Sequence, residues 1–234
     1  AFKHYGIPLT ADARVTLEEL TGKLQGFHVE DRFSAEITAL KEEWEKETDR
    51  LFHLNHQPVP AQSEVIGAIW ESAKPTDVLL SAAGSQPGDL HKLWRAHTPN
   101  SYHMEYGYSC MAYEIPAGIG VKMADPSREV YVWVGDGTYL MNPTEIVTAL
   151  QEGLKLIIVV VNNLGFGSIG ALSHSLGSAG FGTYFRKRDE QTHQLSGEQL
   201  PINFAMNAAS LGAKVLEADT IDEFKKTLQK ARAM

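Results

Sequence analysis

The chain has 234 residues, 43 % hydrophobic and 21 % charged, with one cysteine and a formal net charge of −8. That balance suits one large globular domain or a domain with an appendage, and the negative charge argues against nucleic acid or an anionic membrane as partner. No apolar run reaches the length of a membrane span and no signal peptide is visible, while a lone Cys110 cannot form an internal disulfide, which points to a reducing, cytoplasmic setting.

In chain order, residues 1–31 carry no strong period and read as the tail of a domain lying upstream. Within them, Thr10 to Leu20 suggests a turn into a short amphipathic helix, with Thr16 as N-cap and Glu19 three residues on. Residues 32–55 read as one helix, because Phe33, Ile37, Leu40, Trp44 and Leu51 recur at helical steps or their multiple. The charge run Glu42–Glu47 is expected to be its solvated face. His56-Gln57-Pro58-Val59-Pro60 breaks the pattern, so 32–60 is a connecting helix and linker.

From 61 to 234 the elements alternate. A helix over Ala61–Ser72 precedes an apolar strand, Asp77–Ala82, and a small-residue turn, Ala83–Gly88. Helix signals resume at Asp89–Arg95, and the tyrosine-rich stretch Tyr106–Tyr113 leads into a helix over Glu114–Met123, packed closely through Gly118 and Gly120. The strand Val130–Val134 runs into Gly135-Asp136-Gly137, then into a helix starting at Asn142 (N-cap) and Pro143 (first turn), then into the apolar run Leu156–Val161 and Asn162-Asn163. Gly165–Gly182 is glycine-dense and reads as a mobile or closely packed segment, and 184–200 as a polar loop. A helix over Ile202–Leu211, a short strand over Ala213–Glu217 and an amphipathic helix over Ile221–Ala233 close the chain. Such alternation predicts an α/β fold: a mostly parallel sheet with helices on both faces, carrying a helical N-terminal appendage. No strand follows the last helix, so the 61–234 domain is expected to be incomplete at its C-terminal end.

Two polar turns carry the chemistry. Asp136 at a strand end is a hard oxygen ligand, and its flanking glycines let the backbone approach a ligand closely. Taken alone the tripeptide reads more simply as a plain turn, since Asp-Gly is common in turns. Across one crossover helix, however, Asn163 offers an amide oxygen and Gly165 a backbone carbonyl. One carboxylate, one amide and one carbonyl leave room in an octahedral Mg²⁺ shell for two diphosphate oxygens and a water. Met111 alone reads as a core methionine, and Cys110 as a buried packing residue, since no basic partner stands beside it.

Gly135-Asp136-Gly137, a spacer of 24 residues and Asn162-Asn163 together resemble the motif of the thiamine-diphosphate-dependent enzymes. The resemblance implies Mg²⁺ held by the Asp136 carboxylate, the Asn163 side chain and the Gly165 carbonyl, with the diphosphate against Gly135, Gly137 and Thr138. Ala83-Gly84-Ser85-Gln86 is similar to the small-residue loop through which family members contact the diphosphate, so Gly84, Ser85 and Gln86 join the cofactor set. Ser109-Cys110-Met111-Ala112-Tyr113-Glu114-Ile115-Pro116 resembles the Gly-Thr-Met-Gly-Tyr-Gly-Leu-Pro segment of acetolactate-synthase-like members. There Met111 would wedge between the cofactor's rings and the Ser109 carbonyl would face its aminopyrimidine, while Ala112 stands where glycine is usual.

A narrower resemblance, over most of 56–217, is to the inositol-catabolism branch, whose members hydrolyse a carbon–carbon bond in a cyclic 1,2-diketone. It rests on Ser101–Met111, Gly165–Gly170, Gly180–Thr183 and Ala83–Trp94, and it makes His103 and Glu105 candidates for substrate-side contacts. The resemblance further implies a homodimer or homotetramer with the active site between subunits. It also implies an activating glutamate on a pyrimidine-binding domain that nothing in residues 1–60 resembles, and in the domain order it implies, residues 1–31 are the remnant of a central domain. No catalytic residue is therefore assigned in this chain, which by itself is expected to be inactive. An acetolactate-synthase-like carboligase and a non-catalytic phosphate-binding module stand as the alternatives.

Overall fold

The computed structural model describes Lys3 and residues 5–234, in two compact units, one ending at Glu47 and one running from Thr48 to Met234. The first holds α1 (Ala13–Lys23) and most of α2 (Asp31–Phe52). Its cap differs from the expectation: Asp12, not Thr16, accepts the Val15 N–H at 3.0 Å. Thr16 lies inside the helix, and its hydroxyl donates back to the Asp12 carbonyl at 2.7 Å. A carboxylate at the extended residue before the first turn outcompetes a hydroxyl whose own backbone is already helical.

The second unit contains the end of α2 followed by α3 (Gln62–Ser72), β1 (Val78–Ser81), α4 (Ser85–Leu93), β2 (Tyr102–Met104), α5 (Glu114–Ala124) and β3 (Val130–Gly135). It continues with α6 (Asp136–Tyr139), α7 (Glu145–Gln151), β4 (Ile157–Val161), α8 (Gly167–Ser175), α9 (Phe204–Ser210) and α10 (Ile221–Ala233). The sheet order is β2-β1-β3-β4 and every pairing is parallel, with Leu79 opposite Tyr131 and Val132 opposite Ile158. The chain passes from β2 across β1 to reach β3, so the order reverses between β1 and β3. In open parallel sheets a ligand crevice forms at that point, outside the carboxyl ends of the strands.

Strand alternation sorts the apolar side chains into two cores. Leu79, Tyr131, Trp133 and Ile157 face one way and pack with Phe52, Ile66, Ile69, Leu90, Leu93 and Leu228 from α2, α3, α4 and α10. Leu80, Val130, Val132 and Val134 face the other way and pack with Ile115, Tyr139 and Ile146 from α5, α6 and α7. α5 lies close against β3 because Gly118 leaves no side chain there: a Cβ would stand 2.6 Å from the Val132 methyl. Gly120 meets open space and plays no such part.

Three expectations are corrected. The turn after β1 is itself helical from Ser85, so α4 begins four residues before Asp89. Asn142 does not cap α7, which starts at Glu145. Thr144 stands at the cap position instead, and the Asn142 Oδ1 accepts the Thr144 hydroxyl at 3.0 Å rather than a backbone N–H of the helix. Ala213–Glu217 forms no strand, whereas Tyr102–Met104 does, because β1 offers it a paired edge. The glycine-dense stretch contains α8 and is largely exposed, with burial confined to Gly165, Gly170 and Gly180.

Candidate functional site

β1, β3 and β4 deliver three loops to the same end of the sheet. Asp136 follows β3 directly and is 0 % exposed. Its Oδ1 accepts the Gly137 N–H at 2.6 Å and its Oδ2 accepts the Gly165 N–H at 3.1 Å, which joins the two polar turns. Burial raises its pKa from the ordinary aspartate value, and the backbone N–H groups of Gly137, Gly165, Leu164 and Asn163 oppose that rise. A buried carboxylate held only by neutral dipoles favours a cation beside it.

The glycines fit close approaches. Gly165 has φ 157°, and a Cβ on it would lie 2.3 Å from the Thr183 carbonyl oxygen, so the β4 turn and the 183–184 strap can meet only through glycine. A Cβ at Gly137 would strike the Phe166 ring at 2.7 Å. Gln86 is buried and wedged between Gly84 and Gly135, where added Cβ atoms would stand 2.6 and 2.8 Å from its amide. Gly84 itself has φ 109°. Gln86 thus ties the β1 loop to the β3 loop across the switch point.

Of the residues expected at the site, Gln86, Gly135, Asp136, Gly137, Thr138 and Gly165 converge as its buried floor, with Gly84, Ser85 and Asn163 at the more exposed rim. Asn162 is structural: its Oδ1 accepts the Leu164 N–H at 3.2 Å and closes the turn. The Asn163 side chain lies over Gly167 at the start of α8. Among the described residues no three His, Cys, Asp or Glu side chains gather as a metal cage. One carboxylate with an amide and a carbonyl is the donor set of a cation that takes the rest of its oxygens from phosphate and water, and the residues present fit Mg²⁺-diphosphate.

Ser109 and Met111 lie on the neighbouring loop, after β2. Ser109 has φ 53° and Ala112 φ 70°, so both residues flanking the Cys110–Met111 step are left-handed. Ala112 adopts there the conformation for which the family pattern supplies glycine. Cys110 is exposed, correcting the expectation of a packing residue: its loop lies outside both cores. His103 and Glu105 are engaged within the protein. His103 Nε2 lies 2.7 Å from the Tyr113 hydroxyl, and Glu105 accepts the Tyr108 and Cys110 N–H groups.

One residue was not singled out beforehand. Glu114, at the start of α5, is 1 % exposed; its Oε1 accepts the Ala83 N–H at 3.5 Å and its Oε2 has no partner. Burial pushes its pKa up to about 7. It links the α5 start to the β1 loop as an acid that is protonated in a large share of molecules at neutral pH. The signal was present in the sequence, since Glu114 stands where the Gly-Thr-Met-Gly-Tyr-Gly-Leu-Pro pattern has its third glycine.

Residues 82–234 match the family model described as thiamine pyrophosphate enzyme, C-terminal TPP binding domain. The chain is 37 % identical over 97 % of its length to proteins named 3D-(3,5/4)-trihydroxycyclohexane-1,2-dione hydrolase from Clostridium tetani (strain Massachusetts / E88) and Bacillus anthracis (strain A0248). It is 36 % identical, over the same 97 % of its length, to a protein of that name from Bacillus cereus (strain AH820). In each case it spans 39 % of the relative's length. With the Asp136–Gly165 floor lying inside the matched region, the chain belongs to the thiamine pyrophosphate enzymes and carries their C-terminal cofactor-binding domain.

Proposed function

We propose that this chain supplies the Mg²⁺-diphosphate half of a site that hydrolyses a carbon–carbon bond in a trihydroxycyclohexane-1,2-dione, giving 5-deoxyglucuronate in myo-inositol breakdown. The observation that carries the reading is the buried Asp136 carboxylate at the switch point, in a chain alike over nearly its whole length to enzymes named for that dione. When bound, thiamine diphosphate supplies an electron sink for cleavage next to a carbonyl. Asp136, the Asn163 amide and the Gly165 carbonyl hold the Mg²⁺. Gly135, Gly137 and Thr138 border the diphosphate with Gly84 and Ser85, and Gln86 fixes the spacing between the two loops. Ser109 and Met111 orient the pyrimidine end. The activating glutamate comes from outside this chain, on a partner subunit of a cytoplasmic homo-oligomer, and residues 1–31 are the end of the domain that precedes this one.

The reading is tested by assaying the full-length enzyme with the cyclic dione and with pyruvate. Dione consumption that requires Mg²⁺ and thiamine diphosphate is the expected result. Turnover of pyruvate with the dione untouched would overturn the substrate assignment and make the enzyme a carboligase.

A further inference from the structure

Glu105 follows β2 directly, and its own N–H reaches the Ser81 carbonyl at the end of β1 at 3.4 Å, so its backbone is set by the sheet. Its side chain then grips the loop ahead of it. One carboxylate oxygen accepts the Tyr108 N–H at 2.9 Å and the other accepts the Cys110 N–H at 2.6 Å. These donors lie on either side of Ser109, whose φ of 53° is in the region that residues with a Cβ enter only against steric cost. A backbone held there persists only where its surroundings over-determine it. Residues Tyr106 to Cys110 are exposed; the Tyr106 ring rests edge-on against His91, with ring centroids 5.1 Å apart, and beyond it the two-pronged grip of Glu105 is what spans Ser109 itself.

We propose that Glu105 is a positioning residue for the cofactor: as a carboxylate it locks the 105–110 loop in the one conformation that presents the Ser109 carbonyl and Met111 to the pyrimidine end. The inference rests on the assignment of Ser109 and Met111 to the cofactor. It requires the ionised form, because both oxygens must accept. The Cys110 and Tyr108 N–H groups hold the carboxyl below the usual glutamate range, so it stays ionised at neutral pH. This also removes Glu105 from the substrate-contacting candidates, since its acceptors are turned onto its own loop.

The test uses the full-length enzyme carrying Glu105→Gln. The amide keeps one acceptor and turns an NH₂ toward the other donor, so one prong is replaced by a repulsion. The exposed Cys110 thiol reports on the loop independently of activity. Iodoacetamide labelling of Cys110, read by peptide mass spectrometry on cofactor-free protein, is expected to speed up severalfold. The Kd for thiamine diphosphate at saturating Mg²⁺ is expected to rise about tenfold, as the loss of one charge-assisted bond implies, with the melting temperature of the cofactor-free protein little changed. Adding Ser109→Gly to Glu105→Gln is expected to recover much of the affinity, because glycine takes a positive φ without the steric cost; a role in general stability would not be rescued in this way.

Unchanged labelling with unchanged affinity overturns the proposal. Faster labelling with unchanged affinity overturns the positioning role, and Met111→Ala then locates the fault: if that variant also binds thiamine diphosphate normally, the loop does not meet the cofactor at all.

Discussion

Two buried carboxyls stand close to the cofactor loops, and their surroundings give them opposite tasks. Burial raises the pKa of both, but Asp136 receives backbone N–H groups on both oxygens, which oppose that rise and favour the ionised form needed to hold a cation. Glu114 has an unpartnered oxygen and a pKa raised to about 7, so at neutral pH a large share of it is neutral. Its folded pKa lies above the ordinary value of 4.5, so the native state holds its proton more tightly than the unfolded chain. Stability is then lost as pH rises from about 4.5 to about 7, by an amount on the order of 3 kcal/mol once both states are ionised. Glu114→Gln keeps the shape without the titration. Its melting temperature is expected to match the parent near pH 5 and to exceed it increasingly up to pH 8. Parallel curves for the two proteins over that range would show that Glu114 does not titrate as described.

At the scale of elements, the second unit is tied together by an ion pair between the start of β1 and the last helix. Arg232 donates to Asp77 at 2.7 Å and also to the Tyr131 hydroxyl, while Lys155 donates to the Arg232 carbonyl at 2.8 Å and to Glu129 at 2.8 Å. Asp77 is 5 % exposed and its side chain also accepts the Lys74 N–H at 2.8 Å, so removing the guanidinium leaves a buried charge without its counterion. Arg232→Met is expected to cost about 3 kcal/mol or more in chemical denaturation, and Asp77→Asn/Arg232→Met to recover part of that loss. A loss below about 1 kcal/mol would place the pair among ordinary surface bridges. Most elements were legible because local pattern and tertiary need agree: the uninterrupted apolar run Val130–Val134 suits a strand buried on both faces, and the structure builds a core on each side of β3. The failures have a common cause. Ala213–Glu217 and Tyr102–Met104 are both short and mixed in polarity, but only the latter pairs with a neighbouring strand. Pairing is decided by neighbours in space, which a local pattern does not contain.

For the whole molecule, the meeting of Gly135, Asp136, Gly137 and Gly165 was legible because these residues come from consecutive polar turns in one strand-helix-strand unit. The approach of Gly165 to the Thr183 carbonyl, the Gln86 wedge and the Glu105 grip were not, since each depends on how loops meet after the sheet has formed. In the proposed function the Asp136 carboxylate anchors Mg²⁺ and, through it, thiamine diphosphate. Titration calorimetry of thiamine diphosphate into the full-length enzyme, with and without Mg²⁺ and with Asp136→Ala beside the parent, tests it most directly. Binding is expected to require Mg²⁺ and to weaken on the order of a hundredfold or more in the variant; equal affinity in parent and variant at saturating Mg²⁺ would contradict a metal-anchoring role for Asp136.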